Sequence, residues 1–145
     1  FDILLPRLRE NGTVIIAIEN RFGLKYWAGA ADDHTGRFFE SFSAPDPGMR
    51  FETFSRPELV SLLHRNGLCD LQFYYPHPDY KLPQEIFSDA CLPGITNPLA
   101  EAPCYDRAGI RLFDEWLGFF YLTRDGMYPW FANSFLILAR RGEKR

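Results

Sequence analysis

Thr13-Val14-Ile15-Ile16-Ala17-Ile18, followed at once by Glu19-Asn20-Arg21, decides how the rest of the chain is read. The run is short, β-branched and apolar at both alternating sets of positions. That pattern belongs to a strand covered on both sides, as in a parallel sheet flanked by helices. It turns abruptly from apolar to charged, and the C-terminal end of a strand is where open α/β sheets place their ligands. Glu19, Asn20 and Arg21 are therefore candidate substrate-binding residues, and Glu19 is also a candidate catalytic base. The competing reading is a solvated strand end.

Upstream, Ile3, Leu4, Leu5 and Leu8 recur at helical spacing and Asn11-Gly12 can end a helix, so residues 1–10 are predicted to be the last turns of one, with Pro6 as a kink. Downstream, residues 21–50 carry no regular pattern, and irregular stretches of that length are usually functional or mobile. Ser55-Arg56-Pro57-Glu58 then opens a helix: Ser55 caps it, Glu58 reaches back to complete a capping box, and Pro57 sits in the first turn. Leu59, Leu62 and Leu63 form its buried stripe and Gly67 ends it. Leu71-Gln72-Phe73-Tyr74-Tyr75 reads as a strand halted by Pro76. Residues 76–110 read as Pro- and Gly-rich loops, with a short helix near Glu85 to Asp89. Ile110, Phe113, Leu117 and Tyr121 suggest a helix over 107–124, and Ser134 to Arg140 is an apolar strand ending in a basic tail.

Composition narrows the function. A net charge of −3 without a long Lys or Arg run argues against a nucleic-acid-binding face. No apolar stretch approaches the roughly 20 residues of a membrane span, and the start has no signal-peptide pattern. Three widely spaced cysteines, without a CxxC pair, suggest free thiols in a reducing cytoplasm and no zinc site. An aromatic share of 17% exceeds what a small core needs, so either the core is built from rings or some rings line a groove.

Three segments carry a resemblance. They are Leu4-Leu5-Pro6-Arg7-Leu8 with Asn11-Gly12-Thr13-Val14-Ile15-Ile16; Phe54-Ser55-Arg56-Pro57-Glu58-Leu59 through Asn66-Gly67-Leu68; and Phe135 through Arg141. In this order they resemble the second half of a class I S-adenosylmethionine-dependent methyltransferase domain. Ile18-Glu19-Asn20-Arg21-Phe22-Gly23-Leu24-Lys25-Tyr26-Trp27-Ala28-Gly29, together with Tyr74-Tyr75-Pro76-His77-Pro78-Asp79-Tyr80-Lys81, is similar to the methyltransferase domains of bacterial surface-polysaccharide gene clusters.

The resemblance implies an α/β fold, one domain over 1–145, with a partial Rossmann-like sheet in strand order 5-7-6 and strand 7 antiparallel. The three strands would be Val14–Ile18, Ser134–Arg140 and Leu71–Tyr75, with a long insertion over about 76–130 between strands 6 and 7. It also implies a cytoplasmic transferase acting on a surface glycan or its precursor. A complete domain of this kind opens with a strand, a glycine-rich turn and a helix that cradle the cofactor. No stretch here has that form, so the chain is expected to be the acceptor-binding half, not catalytic alone and without a cofactor site of its own. S-adenosylmethionine would belong to the full-length protein. The expected partners are a missing N-terminal half, a saccharide acceptor, and a second copy if the bare edge of Val14–Ile18 self-associates. The alternative is a non-catalytic binding or assembly module of a larger polysaccharide-biosynthesis protein.

Other candidates follow from residue type. His34, after Asp32-Asp33, and His77, between two prolines, are candidate bases. Carboxylates beside His34 suit a divalent ion or a polar loop tip, and no metal site is assigned. Tyr26, Trp27, Tyr74, Tyr75 and Tyr80 fall near strand ends, where rings stack on sugars or pack the insertion against the sheet. His64, inside the capped helix, reads as structural. There is no GxSxG, P-loop or HExxH.

Overall fold

The computed structural model describes residues 1–32, 34–42, 52–94, 99 and 110–142. Within them the chain is mixed α/β, with a four-stranded antiparallel sheet and four helices. The strands are β1 (Thr13–Glu19), β2 (Leu68–His77), β3 (Glu85–Ser88) and β4 (Ser134–Arg141). The helices are α1 (Leu24–Trp27), α2 (Arg56–Arg65), α3 (Glu115–Arg124) and α4 (Tyr128–Phe131). The sheet order is β1-β4-β2-β3. β4 is antiparallel to both neighbours, pairing Ile137 with Ile16 on one side and with Phe73 on the other. β1 and β2 are therefore parallel to each other, and the last strand lies between them as expected from the sequence.

One face of the sheet carries the core. Val14 from β1, Phe135, Ile137 and Ala139 from β4, and Phe73 and Tyr75 from β2 pack against Leu59 and Leu63 of α2, Phe119 of α3 and Tyr128 of α4. The core is built largely from rings at edge-on angles: Phe73–Phe135 at 5.7 Å and Tyr75–Tyr128 at 5.9 Å. Such pairs favour edge-to-face contact of the ring quadrupoles.

The opposite face corrects the expectation that Thr13 to Ile18 is covered on both sides. Ile15 is 68% exposed, Ile86 of β3 is 53% exposed, and Thr13 and Ala17 are exposed beside them. Apolarity on both faces of a strand states what could be buried, not what this chain buries.

Other boundaries differ as well. Residues 1–10 hold only a 3-10 turn at Leu5–Arg7, tied down where Arg141 donates to the carbonyls of Leu5 and Leu8. Pro6 lies in the first turn of that short helix. Pro76 does not halt β2, which runs on to His77 with Pro76 paired opposite Ile86. The helix expected near Glu85 is strand β3. The helix expected over 107–124 begins at Glu115, where Asp114 accepts from the Trp116 N–H as its cap; residues 107–109 lie outside the described residues. The stretch 21–50 is not wholly irregular, since it contains α1 and a 3-10 turn at Glu40–Phe42; residues 33 and 43–50 are outside the described set.

α2 is capped as its sequence requires. The Glu58 carboxylate accepts from the Ser55 N–H at 2.7 Å and from Ser55 Oγ at 2.8 Å, and Arg21 Nη1 lies 2.8 Å from Glu58 Oε1. Partial burial works against the charge on Glu58, but the Ser55 hydrogen bonds and then Arg21 outweigh it and hold the carboxyl below its ordinary 4.5. A carboxyl lowered on folding adds stability above its unfolded value and loses it as pH falls through the folded value. Ser55→Ala is expected to cost about 1 kcal/mol in urea denaturation at pH 7. The deficit should shrink below pH 4.5, where wild type also loses the Glu58 contribution; a deficit unchanged with pH would contradict the capping role.

No described helix is long and apolar enough to cross a membrane. Cys69 and Cys91 are free thiols; Cys104 lies outside the described residues.

Candidate functional site

The C-terminal ends of β1 and β2 and the N-terminal end of β4 meet at one edge of the sheet, and a network of buried polar side chains sits there. Glu19 closes β1. The chain then turns tightly through Gly23, where a Cβ would lie 3.0 Å from Asn133 Cα, so a side chain here would press on the backbone just before β4. The turn leads into α1, which directs Lys25 and Tyr26 inward and leaves Trp27 outside.

Lys25 is the centre of the network. Its side chain is 1% exposed, and Nζ lies 3.0 Å from Glu19 Oε1 and 2.9 Å from Asp79 Oδ2. Tyr26 Oη donates to Glu19 Oε2. Lys81 approaches from the solvent side, with Nζ 3.4 Å from Glu19 Oε1. Asp79, just past the end of β2, also accepts from the Lys81 N–H at 3.1 Å.

Asparagines lock the backbone around these charges. Asn133 Oδ1 accepts from the Lys25 N–H at 2.8 Å, while its Nδ2 donates to the Pro78 carbonyl and to Glu115 Oε1, each at 3.0 Å. Asn20 Nδ2 donates to the carbonyls of Trp130 and Ala132, both at 2.8 Å. Ser134 Oγ accepts from the Tyr80 N–H at 2.9 Å. Burying charge is tolerable only with partners of this kind.

The sequence candidates separate into groups. Glu19, Asn20, Tyr26 and Tyr80 belong to the network. Arg21 does not face it: Nε and Nη2 donate to the Thr53 carbonyl and Nη1 pairs with Glu58, so Arg21 fastens the start of α2 to the end of β1. Trp27 is exposed on the outer side of α1, its ring 4.6 Å from Phe42. Tyr75 is buried in the core and donates to Asp89; burial and then that carboxylate push its phenol above the ordinary range. Tyr74 lies on the less covered face, its hydroxyl 3.3 Å from Gln72. Tyr80 is raised from 10.0 by burial first, with the Glu19 and Asp79 charges adding to the rise and the Lys81 and Lys25 charges opposing it.

His77, expected beyond the strand, is its buried last residue, with its ring edge-on to Phe119 at 5.4 Å. His34 is exposed. Its N–H and the N–H and hydroxyl of Thr35 donate to Asp32 Oδ1, making a side-chain-closed turn. Asp33 is outside the described residues, and no cluster of metal-ligating side chains occurs among the described ones. His64 is exposed on α2.

Lys25, Lys81, Asp79, Asn133 and Ser134 were not singled out from sequence. The one available signal was a lysine between Leu24 and Tyr26 beside a buried strand end, and it had no periodic context to mark it as inward-facing.

Gly23 is filled by the close approach of Asn133, and a Cβ on Gly29 would lie 1.9 Å from the Ile110 carbonyl oxygen. Both serve contact of the chain with itself, so neither opens a cradle that a nucleoside could enter. Comparison with protein-family models, with curated proteins and with solved structures found no match for this chain.

Proposed function

We propose that this chain is the acceptor-binding half of an S-adenosylmethionine-dependent methyltransferase acting on a surface glycan or its precursor. The observation that carries the reading is the place of β4, between two parallel strands and antiparallel to both, with a buried charged network at the ends where an α/β sheet binds its ligands. The donor pocket then comes from polypeptide outside this sequence. Among the described residues no strand pairs with the outer edge of β1, and that edge, with Ile15 exposed on the adjoining face, suits a covering segment, since bare apolar edges otherwise invite association. Free Cys69 and Cys91 suit a reducing cytoplasm.

Within this chain, Lys25 and Tyr26 hold the Glu19 carboxylate in one orientation and Asn133 fixes the α1 backbone that carries them. Such a constellation orients an acceptor group, which is most of what methyl transfer requires of a protein.

A calorimetric titration tests the reading. The full-length natural protein is expected to bind S-adenosylmethionine, and residues 1–145 alone are expected not to. Absence of binding by the full-length protein would favour a non-catalytic assembly module, and binding by residues 1–145 alone would contradict the placement of the donor pocket.

A further inference from the structure

α3 is apolar on both of its sides. Phe119 is buried in the core and Leu122 packs against it. On the other side Trp116, Leu117 and Tyr121 are exposed, Leu117 at 44% and Tyr121 at 46%. A helix that is apolar all round is ordinarily covered all round. Phe113, Leu117, Phe120 and Arg124 follow one another at helical spacing and line one outer ridge. The Trp116 ring stacks on Phe120 at 6.3 Å, and the Tyr121 ring meets Phe120 edge-on at 5.5 Å. Aromatic rings with Arg at the margin, and no Lys between Ile110 and Trp130, make the composition of an interface core.

The charges at the two ends of the ridge select its occupant. Each end carries one charge of either sign: Arg111 lies 2.9 Å from Asp114 before the helix, and Arg124 lies 2.8 Å from Asp125 after it. An anionic lipid surface calls for an excess of cations, and here a carboxylate matches each guanidinium. Exposed pairs of this kind contribute little where they stand and exchange partners at small cost. If two copies of α3 met in parallel, Arg124 would face Arg124 and Asp114 would face Asp114. With the helices antiparallel and the two-fold at the level of Phe119, Leu117 meets the copy's Tyr121, and Asp114 meets the copy's Arg124 at both ends. We propose that the outer ridge of α3 is a self-complementary interface through which two copies of this chain dimerise, with their α3 helices antiparallel. The apolar centre supplies the buried area and the end charges fix the orientation.

Sedimentation velocity of the full-length natural protein over a concentration series tests this. Wild type is expected to be a dimer. Leu117→Arg, which sets an unpaired guanidinium into each half of the apolar centre, is expected to raise the dissociation constant roughly 100-fold. Leu117 is exposed in the single chain, so the variant is expected to fold, which its circular dichroism spectrum verifies. Arg124→Glu is expected to weaken the dimer roughly tenfold, because a carboxylate then meets the copy's Asp114. Adding Asp114→Asn keeps the helix cap and removes that repulsion, so part of the loss should return. Positions 114 and 124 are about 15 Å apart along one helix, so recovery reads a contact between copies. A wild-type monomer overturns the proposal, whether polypeptide outside residues 1–145 or lipid then covers the ridge. A dimer that survives Leu117→Arg, such as one paired through β1, also overturns it. A loss on Arg124→Glu that Asp114→Asn does not recover overturns the antiparallel arrangement.

Discussion

Lys25→Met is expected to destabilise the protein by about 3–5 kcal/mol, the range for removing one partner of a buried ion pair. The substitution keeps much of the side chain's length and removes only the charge. It leaves Glu19 and Asp79, both almost fully enclosed, without the ammonium that lies 3.0 and 2.9 Å from them. Two consequences distinguish loss of charge from loss of packing. Adding Asp79→Asn to Lys25→Met should recover part of the deficit, because the second variant removes one uncompensated carboxylate, and neighbours in one network are not additive. Lys81→Met should cost far less, since its contact with Glu19 is longer and open to water. Urea denaturation at constant m-value measures all three. A cost below about 1 kcal/mol for Lys25→Met would mean that the carboxylates find other partners and that Lys25 is not the clamp.

Phe135→Ala carries the second large effect, about 3–5 kcal/mol. Phe135 is fully buried in the central strand, with Phe73 at 5.7 Å and Tyr75 at 6.2 Å, both at steep interplanar angles. β4 is hydrogen-bonded on both sides, so neither the strand nor the rings of β2 can close over the space left behind. The void forfeits dispersion contacts as well as buried area. The same substitution at Ile15, on the exposed face of β1, should fall within about 0.5 kcal/mol. Thermal or urea denaturation of the pair checks this. Similar losses at both positions would mean that the sheet is buried on both faces.

The contrast between those two positions also marks how far the sequence could be read. Thr13 to Ile18 and Ser134 to Arg140 were legible as strands because β-branched and apolar runs bounded by polar residues have few other uses. The α2 capping box was legible because its chemistry is local: Ser55 and Glu58 are one helical turn apart and need nothing else. β3 was not legible. Glu85 to Ser88 is short and polar at both ends, and it becomes a strand only because β2 continues past Pro76 and offers it a partner. The uncovered face of the sheet was hidden for a related reason, since Ile15 and Ile16 read alike in sequence and differ only in what packs on them. At the strand ends, Glu19 and Asn20 stood out by their position after an apolar run. Lys25 and Asp79 did not, because their role depends on an approach between residues 54 positions apart. Arg21 and Glu19 are close in sequence and both charged, with opposite signs, yet one fastens α2 and the other faces Lys25. That division follows from the partners the fold brings to each, Thr53 and Glu58 to Arg21 and Lys25 and Tyr26 to Glu19, which no periodicity predicts.

The position of β4 supports both the functional reading and the network beneath it, and nuclear Overhauser contacts of Ile137 measure it directly. Its backbone and side-chain protons should show cross-peaks to Ile16 of β1 and to Phe73 of β2 in the same sample. Cross-peaks to only one of these strands would remove β4 from the centre of the sheet, and the proposed acceptor site at the strand ends would have no basis.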